Sequence, residues 1–391
     1  MSNLGGFGGF GGFGGFGGFG GFGGFGGFGG GTVLGDAFAN PLAMGALATH
    51  RDGTIDTGDT EARPRPPLKR PNAADYDGET LDRWEPWVRA AIAQQVLLAG
   101  LHVEQTANGA SVWGIEQDAT VGGTPKFAAT KIAEILRPLD EAYEPQLALV
   151  LSWAELRQER AAEILAQIDN QFPFLASVVY LHPARTPRTF ELLAIAIQMA
   201  VNVEMRVKHA LGVWRPVEIS PQVQPMLTTP GHGALPSGHA TQAYLAAHVL
   251  EKLLNLQLIP HEGEILQLQR QAARIATNRV IAGVHYPMDS MAGRTLGEAL
   301  GEYFVQRATA GTPEASSASM KCYVFDGTKL PAGERVEFHP GRQSLDGTAD
   351  GGALPCAFYP AVAGTASPRS DPRLAHLWRR AAQEWIGKFG R

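Results

Sequence analysis

Apolar positions recur at helical spacing through most of the chain beyond residue 80. The pattern predicts helices over 80–99, 126–138, 141–169, 189–212, 238–255, 264–283 and 287–307. The most apolar stretch, LLAIAIQMAVNVEM at 192–205, is broken by Gln198, Asn202 and Glu204. No run of about 18 uncharged apolar residues occurs, so this segment reads as a buried helix of a soluble protein and no membrane span is expected. A Pro-rich loop, VEISPQVQPMLTTPGHGALP, ends at Pro236 and brings the flanking helices together.

Beyond about 310 the pattern changes. KCYVFD and RVEFHP, separated by a turn-rich stretch, predict a two-stranded ribbon within 321–340. The terminal SDPRLAHLWRRAAQEWIGKFG offers Asp371 as an N-cap, Pro372 at the first helical position and a stripe of Leu374, Leu377, Trp378, Ala381, Trp385 and Phe389. The expected fold class is therefore all-α: a helical bundle with a small C-terminal β-hairpin.

The N-terminus obeys neither periodicity. Residues 5–28 are eight uninterrupted GGF triplets. A period of three fits an extended polyproline-II-type helix, in which Phe7, Phe10, Phe13, Phe16, Phe19, Phe22, Phe25 and Phe28 form one stripe; at roughly 3.1 Å per residue the tract would reach about 75 Å. Such a stripe has nothing within its own segment to bury against, and self-association is expected. A flexible glycine-rich tail is the other reading. Residues 32–79, with RPRPPLKRP at 63–71, read as a linker or wrapping arm. The expected organisation is a self-association tract at 1–31, this arm, a helical catalytic domain at 80–310 and a C-terminal ribbon with docking helix at 311–391.

Composition narrows the function classes. The chain has 391 residues, 44% of them apolar, and a formal net charge of -5, which supports a sizeable core and argues against general affinity for nucleic acid or anionic membranes. Cys322 and Cys356 are too few for a disulfide framework and too far apart for a CxxC site; whether they pair stays open. With no basic leader followed by an apolar core, a cytoplasmic location is the default expectation.

Within this acidic chain three segments concentrate cations and imidazoles. KHALGVWRP at 208–216 places Lys208 and Arg215 two turns apart. PSGHA at 236–240 sets Ser237, Gly238 and His239 where a helix begins, and the free N–H groups of a first turn suit an anion. NRVIAGVHYPMDSMAG at 278–293 contributes Arg279, then His285 and Asp289 four residues apart, so that the carboxylate can fix the imidazole. Together these supply three cations, neutral donors and two imidazoles, the ingredients of a cage for a tetrahedral oxyanion.

The three segments, in this order, resemble the signature of the superfamily that joins vanadium-dependent haloperoxidases with bacterial acid phosphatases and type 2 phosphatidic acid phosphatases. The resemblance covers about 190–305 and implies a helical bundle. It further implies that Lys208, Arg215 and Arg279 hold the oxygens of vanadate or phosphate, assisted by Ser237 and Gly238. His285 becomes the axial ligand of vanadium or the nucleophile that is phosphorylated, His239 the general acid/base on the opposite side, and Asp289 the partner that orients His285. Asn278 departs from the family, which usually has serine there; little effect is expected.

The same cage serves two reactions, because phosphoryl transfer to histidine passes through a five-coordinate phosphorus that histidine-bound vanadate mimics. His232, seven residues before His239, resembles the histidine that algal bromoperoxidases carry at that offset. It tilts the expectation toward a vanadate cofactor, with hydrogen peroxide and a halide, bromide or iodide favoured, as substrates. Hydrolysis of a phosphate ester is the alternative, and an assembly protein on a retained enzyme scaffold is a third. The chain is expected to form homo-oligomers. Deleting residues 1–31 should leave turnover near normal and change particle size; unchanged size would contradict assembly through the repeat.

Overall fold

The computed structural model describes residues 78–388 except 122–123, 169–170, 257–261, 310–318, 346, 348–352 and 362–363. The expectations for the GGF tract and most of the arm lie outside the described residues.

After a 3-10 turn at Gly78–Arg83 come α1 (Pro86–Ala99), β1 (Leu101–Gln105), β2 (Gly109–Val121) and β3 (Thr124–Leu136). Then follow α2 (Tyr143–Trp153), α3 (Arg157–Ala166), α4 (Phe172–Ala176), α5 (Pro187–Leu211) and α6 (Pro216–Ile219). The centre is formed by α7 (Gly238–Leu253), α8 (Glu262–Ile281) and α9 (Pro287–Thr309). Short strands β4 (Ser319–Lys321), β5 (Tyr323–Asp326), β6 (Gln343–Ser344), β7 (Leu354–Pro355) and β8 (Gly364–Ala366) precede α10 (Pro372–Gln383).

The all-α expectation needs correction, because most of the helices are joined by a four-stranded sheet of order β1-β2-β3-β5. The segment expected as a helix at 126–138 is β3, paired antiparallel with β2. FAATKIAEIL carries apolar residues at both helical and strand offsets, and register shifts at Val112/Trp113 and Gln117/Ala119 erase the clean alternation that marks a strand. The overlooked signal was Asn108-Gly109, a turn-forming pair between two apolar runs: Thr106 N–H donates to Gly109 O at 2.9 Å there. The expected C-terminal ribbon is also absent. KCYVFD does form β5, but it pairs parallel with β3, while RVEFHP is not a strand. Cys322 and Cys356 are both free thiols.

α7 is buried on nearly every side, which explains why small and apolar residues predominate in GHATQAYLAAHVLEKL and why Gln242 and His248 need polar partners. Its closest neighbour is α9. Glycines at 293, 297 and 301 form one stripe of α9, and a Cβ on them would meet Ala240 Cβ at 2.7 Å, Thr241 O at 2.5 Å and His248 Cβ at 2.9 Å. The two backbones therefore approach more closely than any side chain allows, and their N-terminal ends lie together: Ser237 N–H donates to Asp289 O at 2.8 Å.

The outer layer is tied on by polar contacts with few alternatives. Arg89 of α1 meets Glu191 of α5 through Nε at 2.6 Å and Nη2 at 2.8 Å, with both residues buried. Asp371 caps α10 by accepting from Arg373 N–H at 2.9 Å. Beyond α10, Glu384 accepts from the Arg188 and Thr189 amides at 2.7 and 2.9 Å, so it satisfies free donors at the start of α5. Trp385 is fully buried there and donates to Thr189 Oγ1 at 2.9 Å. Among the described residues no helix is long and apolar enough to cross a membrane.

The glycine stripe gives a direct test. Gly297→Ala raises helix propensity by up to about 1 kcal/mol yet forces α7 and α9 apart, so a net loss of about 1–3 kcal/mol is expected in chemical denaturation. Equal or greater stability would contradict the close packing.

Candidate active site

The site is built where α5 ends, α7 begins and the α8–α9 turn passes between them. α5 terminates at Gly212 in the left-handed region (φ 59°), whose N–H returns to Lys208 O at 2.9 Å. The chain then turns through Arg215, whose own N–H is accepted by Glu218 at 2.6 Å, into α6. Arg157 pins the next stretch to the end of α8: its fork donates to Val223 O and Gln224 O, both at 2.8 Å, and its Nε to Ile281 O at 2.9 Å. Ser237 caps α7, accepting from Ala240 N–H at 3.4 Å.

Lys208, Arg215 and Arg279 are each only 1% exposed. Lys208 Nζ donates to Gly233 O at 3.2 Å, Ala234 O at 3.3 Å and Pro236 O. Three carbonyl acceptors match the three protons of an ammonium, which favours the charged form although burial and Arg215 push its pKa down. This bonding also shapes the Gly233–Pro236 turn, so a bound oxyanion would compete with carbonyls for the same ammonium.

Arg215 is the junction of the site. Its Nε donates to His232 O at 3.0 Å and Nη1 to Val284 O at 2.6 Å; Nη1 also meets His285 Nε2 at 2.9 Å, and Nη2 meets His232 Nδ1 at 3.1 Å. His285 Nδ1 lies 2.9 Å from Asp289 Oδ2, which also accepts the Tyr286 N–H at 2.9 Å. With an Asp289 carboxylate on one side and a guanidinium on the other, the network assigns the imidazole proton to Nδ1 and a lone pair to Nε2. Burial, then Arg215, Lys208, His232 and His239, hold His285 well below its ordinary pKa. At neutral pH its imidazole is uncharged, a state in which Nε2 can act as a nucleophile or a ligand. Burial raises the Asp289 carboxyl, against the pull of the Tyr286 amide, Lys208 and Arg215.

On the opposite flank, Arg279 Nη2 donates to Ile164 O at 2.8 Å and Gln167 Oε1 at 3.2 Å, and its buried Nε has no partner among the described residues. His239 is half-buried, with Nε2 2.9 Å from Gln167 O. Burial and then Arg279 lower its pKa. Asn278 donates to Gln167 Oε1 at 2.9 Å, so the residue that departs from the family pattern buttresses the same glutamine that holds Arg279.

All nine expected residues thus lie at this junction, and electrostatic interactions run from His285 to Arg215, Lys208, His232 and His239, and from His239 on to Arg279. Sequence reasoning missed Glu204, Gln167 and Gln242. Glu204 is 1% exposed and lies against the start of α7: a Cβ on Gly238 would fall 2.8 Å from its Oε1. Gln242 donates to Oε1 at 3.1 Å, while Oε2 has no partner among the described residues. The available signal was spacing, since Glu204 precedes Lys208 by one turn.

Lys208 faces the raised carboxyls of Glu204 and Asp289, Arg215 faces Asp289, and buried Arg279 keeps an unmet donor, so the donor set fits a tetrahedral oxyanion. Among the described residues no cluster of three or more His, Cys, Asp or Glu is arranged to hold a metal cation. Residues 190–310 match the family model described as the PAP2 superfamily, and this stretch contains every one of the nine residues. No curated protein matches the chain.

Burial raises the Glu204 carboxyl from its ordinary value of 4.5 against the opposing effect of Lys208 and Gln242. A raised carboxyl means that the folded state binds the proton more tightly, so wild-type stability is lost as pH rises above the unfolded value. Glutamine cannot titrate. The stability of Glu204→Gln relative to wild type should therefore be greater at pH 8 than at pH 5 in urea melts; a difference that is flat or reversed with pH would contradict this.

Proposed function

We propose that this protein is a vanadate-dependent haloperoxidase of the PAP2 superfamily, oxidising bromide or iodide with hydrogen peroxide to hypohalous acid. The observation that carries this reading is the contact between His232 Nδ1 and Arg215 Nη2 at 3.1 Å. It makes His232 part of the cage instead of a loop histidine in solvent, and a further proton carrier beside the oxyanion site favours peroxide chemistry.

Vanadate, when bound, supplies a Lewis-acidic centre that activates peroxide toward halide without changing oxidation state. The chain contributes the rest. Arg215 and Arg279 hold oxyanion oxygens with planar forks, and Lys208 adds a point charge from the turn it organises. His285 presents the Nε2 lone pair, with Asp289 fixing the tautomer. In this reading His239, held neutral by burial and Arg279, and His232 accept and return protons.

The second reading is a phosphomonoester hydrolase, favoured by the same lone pair on His285. In that reaction Nε2 attacks phosphorus, the P–O bond to the alcohol breaks, and a general acid gives the leaving oxygen its proton. Water then hydrolyses the phosphohistidine, with the same group acting as base.

A paired assay on metal-stripped protein separates the two: bromination of a phenolic dye with orthovanadate, peroxide and bromide, beside hydrolysis of an aryl phosphate. Vanadate-dependent bromination that falls at least about 100-fold in His285→Ala, and also falls in His232→Ala, is the expected result. Phosphate release inhibited by vanadate, without bromination, would transfer the protein to the hydrolases.

A further inference from the structure

A second concentration of cations lies away from the cage. A cavity of about 1080 Å³ opens between the outward face of α8, the middle of α9 and the C-terminal segment. Arg160, Arg270, Arg274, Arg294, Lys321 and Arg342 line it, while Glu298 is the one carboxylate among the described residues of its wall. None of the nine cage residues lines this cavity. Among the described residues of the lining, six cations to one acid is a local inversion in a chain whose formal charge is -5.

Ion pairs offset only part of this excess: Arg160 Nε lies 3.1 Å from Glu159 Oε1. Glu298 is already engaged, with Oε2 2.8 Å from His248 Nδ1. Arg274 is paired with Glu163 at 2.6 Å. Arg270 and Arg342 are exposed and have no carboxylate partner among the described residues. Arg294 is held in place: Nη1 donates to Gln343 O at 2.7 Å, and its guanidinium lies 5.8 and 6.0 Å from the ring centroids of Tyr244 and Tyr359. Its buried Nε has no partner among the described residues. A guanidinium held by one carbonyl and two aromatic rings is preorganised, and planar forks of this kind bind phosphate groups in bidentate fashion.

We propose that this cavity is a binding site for a small molecule carrying two or more phosphate groups, separate from the oxyanion cage. Its volume is that of a small-molecule site, far larger than a single phosphate requires. The cations are spread over α8, α9 and the C-terminal segment, which suits several anionic groups on one ligand better than one ion. Buried Phe338, packed edge-to-face on Tyr244 with ring centroids 6.3 Å apart, and Leu266 provide apolar surface for the body between the phosphates.

The test is calorimetric titration of the full chain with inorganic tripolyphosphate at fixed ionic strength, in the presence of saturating orthovanadate to fill the cage. The expected result is one tripolyphosphate site per chain, weakened at least tenfold in Arg270→Ala/Arg342→Ala. Both arginines are exposed, so the double variant should retain its circular dichroism spectrum. Absence of binding, or affinity unchanged in the double variant, would overturn the proposal. Where vanadate itself does not bind, tripolyphosphate alone should show a site that the double variant loses, so this inference stands or falls apart from the cage chemistry.

Discussion

Arg215 is the interaction on which the rest of the site depends. A guanidinium that is 1% exposed must find acceptors or a counter-ion, and it finds His232 O, Val284 O and two imidazoles. Those partners come from two loops far apart in sequence, so satisfying one side chain joins the loop before α7 to the turn before α9. His285 is thereby held between a guanidinium and Asp289, and its Nε2 lone pair is a consequence of that geometry. Removing Arg215 would take away these contacts as well as one charge, leaving Arg157 and the Met226 N–H to Ala282 O bond to join the two segments.

The backbone makes this junction precise through close packing. Gly293, Gly297 and Gly301 let α9 run against α7 at backbone contact, which places Ser237 and Asp289 one hydrogen bond apart. Gly238 serves the same end on the other side, leaving room for Glu204 under the first turn of α7. The cost is a buried carboxyl beside a buried ammonium. Its compensation is partial, through Gln242 and the three carbonyls that surround Lys208.

Much of this was legible in the sequence because it is local. The spans of α5, α7, α8 and α9 follow from helical periodicity, and Lys208, His285 and Asp289 occupy fixed offsets on the chain. The sheet was illegible for a physical reason: β3 carries apolar residues at both periods, and two register shifts in its pairing with β2 hide the alternation. β5 was read as half of a hairpin, since nothing local reveals a parallel partner nearly two hundred residues upstream. Glu204, Gln167 and Gln242 escaped notice because a buried polar side chain is defined by its partners, and those partners lie on other helices. The cationic cavity is the same case, assembled from α8, α9 and the C-terminal segment.

The central claim is that three buried cations are held ready for a tetrahedral oxyanion. The most direct measurement is the thermal unfolding of the full chain as a function of orthovanadate concentration, for wild type and Arg215→Ala. Binding to the folded state alone adds about 2.7 kcal/mol at a hundred times the Kd, so the wild-type Tm should rise steadily with vanadate. The variant, already less stable, should show little or no rise. A wild-type Tm indifferent to vanadate and phosphate alike, or an equal rise in both proteins, would contradict the account.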